Sequence, residues 1–278
     1  MSAHPYRGIT AAFATKHLKE KIITPIFSQL DIKITTANVD TDLFGTFTGE
    51  TPRVGTARQV VLKKARQGIS DSGLSFALAS EGSIGPDAVT PFILSDIECM
   101  AWVDETRKIE IIEFYRSFDI VAARSVISFE DKLDEFLIKA DFPNHSLIAR
   151  AEKGGGQIYK GINTKEQLNI ALKSLSDHDS RFILESDLRA HHSPSRRRNI
   201  AEVGKILLER ISNLCIKCKT PGWGAVDNLY GLPCNECDYF EIGAVRGRIL
   251  GCVSCDYKVE ISSDKKFIEP AECRVCNP

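Results

Sequence analysis

Hydrophobic and polar positions in the first 210 residues switch repeatedly between two periods. Short runs of apolar and β-branched residues predict strands at 8–15, 32–36, 74–80, 97–103, 108–114, 146–150, 157–161 and 181–185. Between them, apolar residues recur at helical spacing. Leu18, Ile22, Ile26 and Leu30 mark a helix over 17–30, which Pro25 should kink or split. Ala57, Val60, Val61 and Ala65 mark one over 55–70. Leu133, Phe136, Leu137 and Ala140 follow a capping-box-like start at 128–131, and Leu168, Ala171, Leu172 and Leu175 follow a capping box at 164–167. A long helix opens at Ser193 and Pro194, with proline in its favoured first position, and runs to about Asn213. The glycine-bearing stretches 38–52 and 81–91 predict loops, and Gly154–Gly156 a hairpin turn without the lysine of a phosphate-binding loop. Alternation of this kind predicts an α/β domain over 1–212, three-layered on a mixed sheet.

The pattern changes at about Asn213, where cysteines replace periodic apolar residues. Cys215/Cys218, Cys234/Cys237, Cys252/Cys255 and Cys273/Cys276 are four Cys-x-x-Cys pairs, using eight of the nine cysteines in the chain. Each pair can supply half of a tetrahedral Zn²⁺ site, so the eight thiolates make two Cys₄ sites and define a double zinc-ribbon domain over 213–278. An iron–sulfur cluster is the competing cofactor. A disulfide framework would need an oxidising compartment and an export signal, and the N-terminus has no basic-then-apolar leader pattern. The gaps between pairs, 15, 14 and 17 residues, suit a short hairpin between knuckles. Sequential ribbons are expected, first pair with second and third with fourth, because they close the shortest loops; a nested pairing is the alternative. Four protein ligands leave no open position, so both ions would be structural.

Composition narrows the function. With 278 residues and 43% hydrophobic content, the chain can bury a substantial core. A net charge of −1 argues against a role in coating nucleic acid. Residues 211–278 carry eight Lys/Arg against nine Asp/Glu, and each zinc–thiolate unit adds a formal −2. That module is poorly equipped for phosphate backbones; a lid or a docking surface for a protein partner suits it better. No run of 18 apolar residues suggests a membrane span. Reduced thiols without an export signal lead us to expect a cytoplasmic protein. Cys99, in an apolar run, reads as a buried strand residue.

Candidate chemistry gathers at the carboxyl ends of expected strands, where α/β sheets bind ligands. Lys16, His17 and Lys19 follow the first strand, near a helix start that favours phosphate. Glu81 follows the third strand within the glycine-bearing loop and could activate water through a metal. Glu185 and Asp187 end a later strand two residues apart, with Arg189, Arg196, Arg197, Arg198 and a helix N-terminus close behind. Carboxylates there suit Mg²⁺ or Mn²⁺, and the arginines suit phosphate. Equally, Glu185 and Asp187 could pair with those arginines.

Three segments resemble the inosine/xanthosine triphosphatase superfamily, which removes non-canonical purine nucleotides. Ala14-Thr15-Lys16-His17-Leu18-Lys19 resembles that family's opening strand-to-helix motif, with His17 in place of its asparagine. Glu50-Thr51-Pro52-Arg53-Val54-Gly55-Thr56-Ala57-Arg58 resembles its helix start, and Ala77-Leu78-Ala79-Ser80-Glu81-Gly82 its strand ending in a catalytic acid. The resemblance spans roughly 8–90 and implies that Lys19 and Arg58 hold phosphate and that Glu81 binds Mg²⁺ or orients water. The whole chain also resembles an uncharacterised bacterial domain-of-unknown-function family. That likeness rests on Glu81-Gly82-Ser83-Ile84-Gly85-Pro86, on Glu185 to His191, and on the terminal Cys-x-x-Cys-Asn-Pro. The expected function is Mg²⁺-dependent hydrolysis of a nucleotide or related phosphate compound. Glu81, Glu185 and Asp187 would do the catalysis, and Lys16, His17, Lys19, Arg58, Arg189 and Arg196 would bind phosphate. The alternative is a non-enzymatic zinc-ribbon protein or nucleic-acid binding module.

Overall fold

The computed structural model describes residues 4–16, 18–39, 54–154, 156–177 and 179–278. His17, most of the expected loop at 38–52, and Glu50 to Arg53 of the second motif therefore lie outside the described residues. Strand β1 (Thr10–Ala14) leads through α1 (Glu20–Phe27) to β2 (Lys33–Ala37), which pairs with β1 in parallel. Helix α2 (Ala57–Ser72) then leads to β3 (Phe76–Pro86), parallel to β1 on its other side. Two antiparallel strands, β4 (Leu94–Asp104) and β5 (Ile109–Ser117), complete a mixed sheet in the order β2-β1-β3-β4-β5.

Residue size separates the two faces of this sheet. Ala12, Ala14, Ala77, Ala79 and Ala101 lie with Val61 and Ala65 of α2 in one core cluster. Small side chains let the helix come close: a Cβ on Gly68 would stand 3.2 Å from that of Ala14. The alternate positions carry bulk. Trp102 stacks on Phe27 and tilts against Tyr6, with ring centroids 6.1 and 5.0 Å apart. Thr56 caps α2 by accepting from the Gln59 N–H, and Gln59 returns the bond to the Thr56 N–H.

Two expectations fail in this region. Strand β3 does not stop at Ser80: it pairs with β4 without interruption from Phe76↔Asp104 to Pro86↔Leu94. Glu81 is thus a strand residue, and Gly82 after it marks close approach rather than a turn. Pro25 does not split α1, which runs through it to Phe27 and tightens into a 3₁₀ turn over Ser28–Leu30.

The next residues form a second, antiparallel sheet. Its elements are β6 (Arg124–Ile127), α3 (Asp134–Lys139), β7 (Leu147–Ala151), β8 (Tyr159–Ile162), α4 (Lys165–Ser176) and β9 (Phe182–Ser186), with strands ordered β6-β9-β7-β8. Leu168 and Leu172 of α4 bury with Leu147, Ala149, Phe182 and Leu184. Helix α3 starts later than its capping-like sequence suggests. Asp131 accepts from the Ser128 N–H at 2.7 Å and closes a local turn instead.

Helix α5 (Pro194–Ser212) contains the division between two compact units, Tyr6–Leu207 and Leu208–Pro278, the latter joined by His4 and Pro5. Gly204 of α5 faces Ile23, Ile26 and Met100, where a side chain would collide with Ile23. The second unit carries an antiparallel sheet, β10 (Gly224–Pro233), β11 (Phe240–Gly251) and β12 (Lys258–Ser262), in that order. The protein is thus a mixed α/β chain with three sheets. Among the described residues, no helix is long and apolar enough to cross a membrane.

Candidate functional site

Where β1 ends, β3 and β4 continue, and charged side chains are buried along that step. Lys19, Lys64, Glu81, Asp96, Glu98 and Arg196 are each at most 7% exposed. Six buried ionisable groups are costly unless paired, and most of the pairs are visible. Lys64 of α2 donates to Glu81 Oε2 at 2.6 Å. Lys19 donates to Ser80 Oγ at 2.9 Å. Arg196 of α5 donates through Nε to Glu98 Oε1 at 2.6 Å and through Nη1 to the Leu188 carbonyl at 2.7 Å. Asn199, one helical turn on, donates to Asp96 Oδ2 at 2.9 Å. The second oxygens, Asp96 Oδ1 and Glu98 Oε2, are buried without a hydrogen-bond partner.

Gly82 explains how so much charge fits. It stands directly opposite Glu98 across the β3–β4 pair. A Cβ there would lie 2.5 Å from Glu98 Oε1 and 2.7 Å from the Arg196 guanidinium. The residue after Glu81 must therefore lack a side chain for the Glu98–Arg196 pair to form. Titration is shifted here as well. Burial, and then the Arg196 charge, brings Lys19 down to about 8. Burial, and then the Glu98 carboxylate, pushes Asp96 up to about 7.

Three residues singled out in the sequence, Lys19, Glu81 and Arg196, meet at this step: both Arg196 and Glu81 act on the Lys19 charge, with Glu81 opposite Cys99 on the α2 face of the sheet and Arg196 on the other face with Glu98. The structure adds Lys64, Asp96, Glu98 and Asn199, which sequence reasoning missed. Asp96 and Glu98 sit two apart in a strand that reads as apolar, and that interruption was the available signal. Lys16 is half-buried, and Arg58 is exposed near the start of α2.

Glu185 and Asp187 belong to the second sheet and are taken up by cations. Glu185 pairs with Arg150 at 3.1 Å and Arg124 at 3.3 Å. Asp187 is fully buried; it accepts from the Arg189 Nε and NH2 groups, at 2.9 and 2.5 Å, and from the Gly161 N–H at 3.0 Å. Burial raises the Asp187 pKa, but Arg189 outweighs it and holds the group below the ordinary carboxylate range. The ion-pair alternative describes both carboxylates.

The cysteines form two groups, Cys215/Cys218/Cys252/Cys255 and Cys234/Cys237/Cys273/Cys276, with all ligand atoms in each within 4.8 Å. Four sulfurs about 2.3 Å from one Zn²⁺ stand about 3.8 Å apart. Here Sγ–Sγ contacts are 3.8 Å for Cys215–Cys255, 3.5 Å for Cys218–Cys252, 3.9 Å for Cys234–Cys276 and 3.7 Å for Cys237–Cys273. These are metal-cage spacings, far from a disulfide bond. The Ser254 and Cys255 N–H groups point at Cys252 Sγ, at 3.3 and 3.4 Å.

The pairing is interleaved, first with third and second with fourth, which overturns the sequential expectation. A single strand, not a hairpin, fills each of the first two gaps. β10 carries the chain away from the first knuckle to the second, and antiparallel β11 returns it to the third. Gly224↔Gly251 at one end and Pro233↔Phe240 at the other bring the correct knuckles together. The bridge between Cys234 and Ile268 aligns the last segment with the second knuckle.

The family model of a domain of unknown function (DUF6671) matches residues 64–278. The match includes Lys64, Glu81, Asp96, Glu98, Arg196 and all eight paired cysteines. No curated protein and no solved structure matches the chain. The likeness of 8–90 to the inosine/xanthosine triphosphatase superfamily finds no support in these comparisons.

Proposed function

The chain belongs to the DUF6671 family, a domain of unknown function, and from its buried charges we propose that it hydrolyses a phosphate-bearing small molecule, with nucleotides as the leading class. One observation carries the reading: six ionisable side chains from four elements and the turn before α1 are buried where β1 ends, with two carboxylate oxygens unpartnered. Structural ion pairs do not need this arrangement, since apolar residues of the same size would do as well or better for stability. Perturbed groups held against such a cost suit binding or catalysis.

In this reading Lys19, Lys64 and Arg196 offer positive charge to phosphate oxygens. Glu81 takes a proton from the attacking water; the water oxygen bonds to phosphorus and the phosphoanhydride P–O bond breaks. The leaving phosphate departs with the charge that the cations neutralise. A divalent metal, when bound, would supply further charge neutralisation. The two four-cysteine groups each hold a zinc ion as scaffold, with all four positions filled by protein.

A phosphate-release screen across nucleoside triphosphates, with Mg²⁺ and zinc-loaded protein, tests the reading. Turnover of at least one nucleotide is expected, falling at least a hundredfold in Glu81→Gln. Turnover unchanged in that variant would remove Glu81 from the chemistry, and no turnover of any phosphate compound would end the proposal.

A further inference from the structure

Asp96 and Glu98 lie two residues apart on β4, so their side chains leave the same face of the strand. Two residues of extended chain separate their Cα atoms by roughly 6.5–7 Å, close enough for both carboxylates to converge on one ion. Helix α5 fixes them with a matched pair of donors one turn apart. Asn199 holds Asp96 by Oδ2, and Arg196 holds Glu98 by Oε1. Each carboxylate is thus gripped by one oxygen. The other oxygen of each, Asp96 Oδ1 and Glu98 Oε2, is buried with no hydrogen-bond partner, on residues that are 0% exposed.

An unmet buried carboxylate oxygen is costly. Ligating carboxylates in metal sites are oriented in this manner, one oxygen hydrogen-bonded and the other on the ion. Mg²⁺ and Mn²⁺ often take only one or two carboxylates, completing their shell with water and substrate phosphate.

We propose that Asp96 and Glu98 hold a divalent cation, Mg²⁺ or Mn²⁺, on the floor of the charged cluster. The inference rests on the phosphate reading for its purpose, since Lys19, bound to Ser80 on the same face of the sheet, would meet the phosphate. It moves the expected metal away from Glu185 and Asp187, whose oxygens are taken by arginines.

The ion is testable without any phosphate compound. Zinc-loaded full-length protein is titrated with Mn²⁺ and the free ion is followed by electron paramagnetic resonance. The expected result is one saturable Mn²⁺ site per chain, displaced by Mg²⁺ and weakened at least tenfold in Asp96→Asn. Glu98→Gln strips Arg196 of its charge partner and can unfold the chain, so the near-isosteric Asp96→Asn carries the test, with its fold checked by circular dichroism. Asn199→Ala, which frees Asp96 Oδ2 without removing a carboxylate, should weaken binding by a smaller factor. The proposal is overturned if folded wild-type protein binds no Mn²⁺, if Asp96→Asn binds it equally well, or if only Asp187→Asn abolishes it. Mn²⁺ binding without phosphate release would leave this site standing and remove the hydrolase reading instead.

Discussion

Asp96 illustrates how one residue can set a pH dependence for the fold. Burial and Glu98 raise its pKa to about 7 in the folded chain, against an ordinary value of 3.8. The folded state therefore binds a proton more tightly than the unfolded state. The associated stability is complete below about pH 4 and is lost as pH rises through 7. Lys19 works at the other end: burial lowers it to about 8, so the folded state sheds its proton early and gains stability between about pH 8 and 10.5. Urea denaturation in metal-free buffer should show stability falling from pH 4 to 7 relative to Asp96→Asn, in which that component of the slope is absent. Parallel pH profiles for the two proteins would show that Asp96 is not the titrating group. Gly82 is legible only in retrospect. Its sequence position suggested a loop, whereas its role is to leave room for Glu98 and Arg196 across the strand pair.

At the level of elements, local signals were readable wherever short-range chemistry decides. The Thr164 cap, the proline start of α5 and the turn at 104–107 follow from their own residues, whereas the capping-like 128–131 closes a local turn instead. Asp104, for example, accepts from the Thr106 and Arg107 N–H groups at 2.8 and 2.9 Å. The extension of β3 beyond Ser80 was not legible, because its partner strand decides it. The zinc pairing was not legible for the same reason: loop-closure entropy favours neighbouring knuckles, but strand pairing of β10 with β11 puts neighbours at opposite ends. Interleaving has a measurable consequence. Both sites hang on the same two strands, so losing one ion frees strand ends that position the other. Chelator titration with a zinc indicator should release both ions in one transition, and Cys255→Ser should weaken the surviving Cys234/Cys237/Cys273/Cys276 site at least tenfold. A surviving site of unchanged affinity would mean that the two cages are independent.

Across the whole molecule, charge is nearly balanced, with 36 Lys/Arg against 37 Asp/Glu. In the proposed phosphate reading, recognition of the anion therefore rests on local arrangement. The first unit supplies one: Lys19 and Lys64 flank β3, Arg196 comes from α5, and the carboxylates of β3 and β4 lie between them. The sequence singled out Lys19, Glu81 and Arg196 in this region, and it also singled out Glu185 and Asp187, whose carboxylates pair with arginines in the structure. Strand-end carboxylates followed by arginines look alike in sequence whether they bind a metal or pair with one another. Only the tertiary contacts separate the satisfied pairs of the second sheet from the unmet oxygens of the first. If Lys19 belongs to a phosphate-binding centre, calorimetric titration with a non-hydrolysable nucleoside triphosphate and Mg²⁺ will show saturable binding to the zinc-loaded wild-type protein and at least tenfold weaker binding to folded Lys19→Met; absent binding, or equal affinity in the two proteins, would contradict that role.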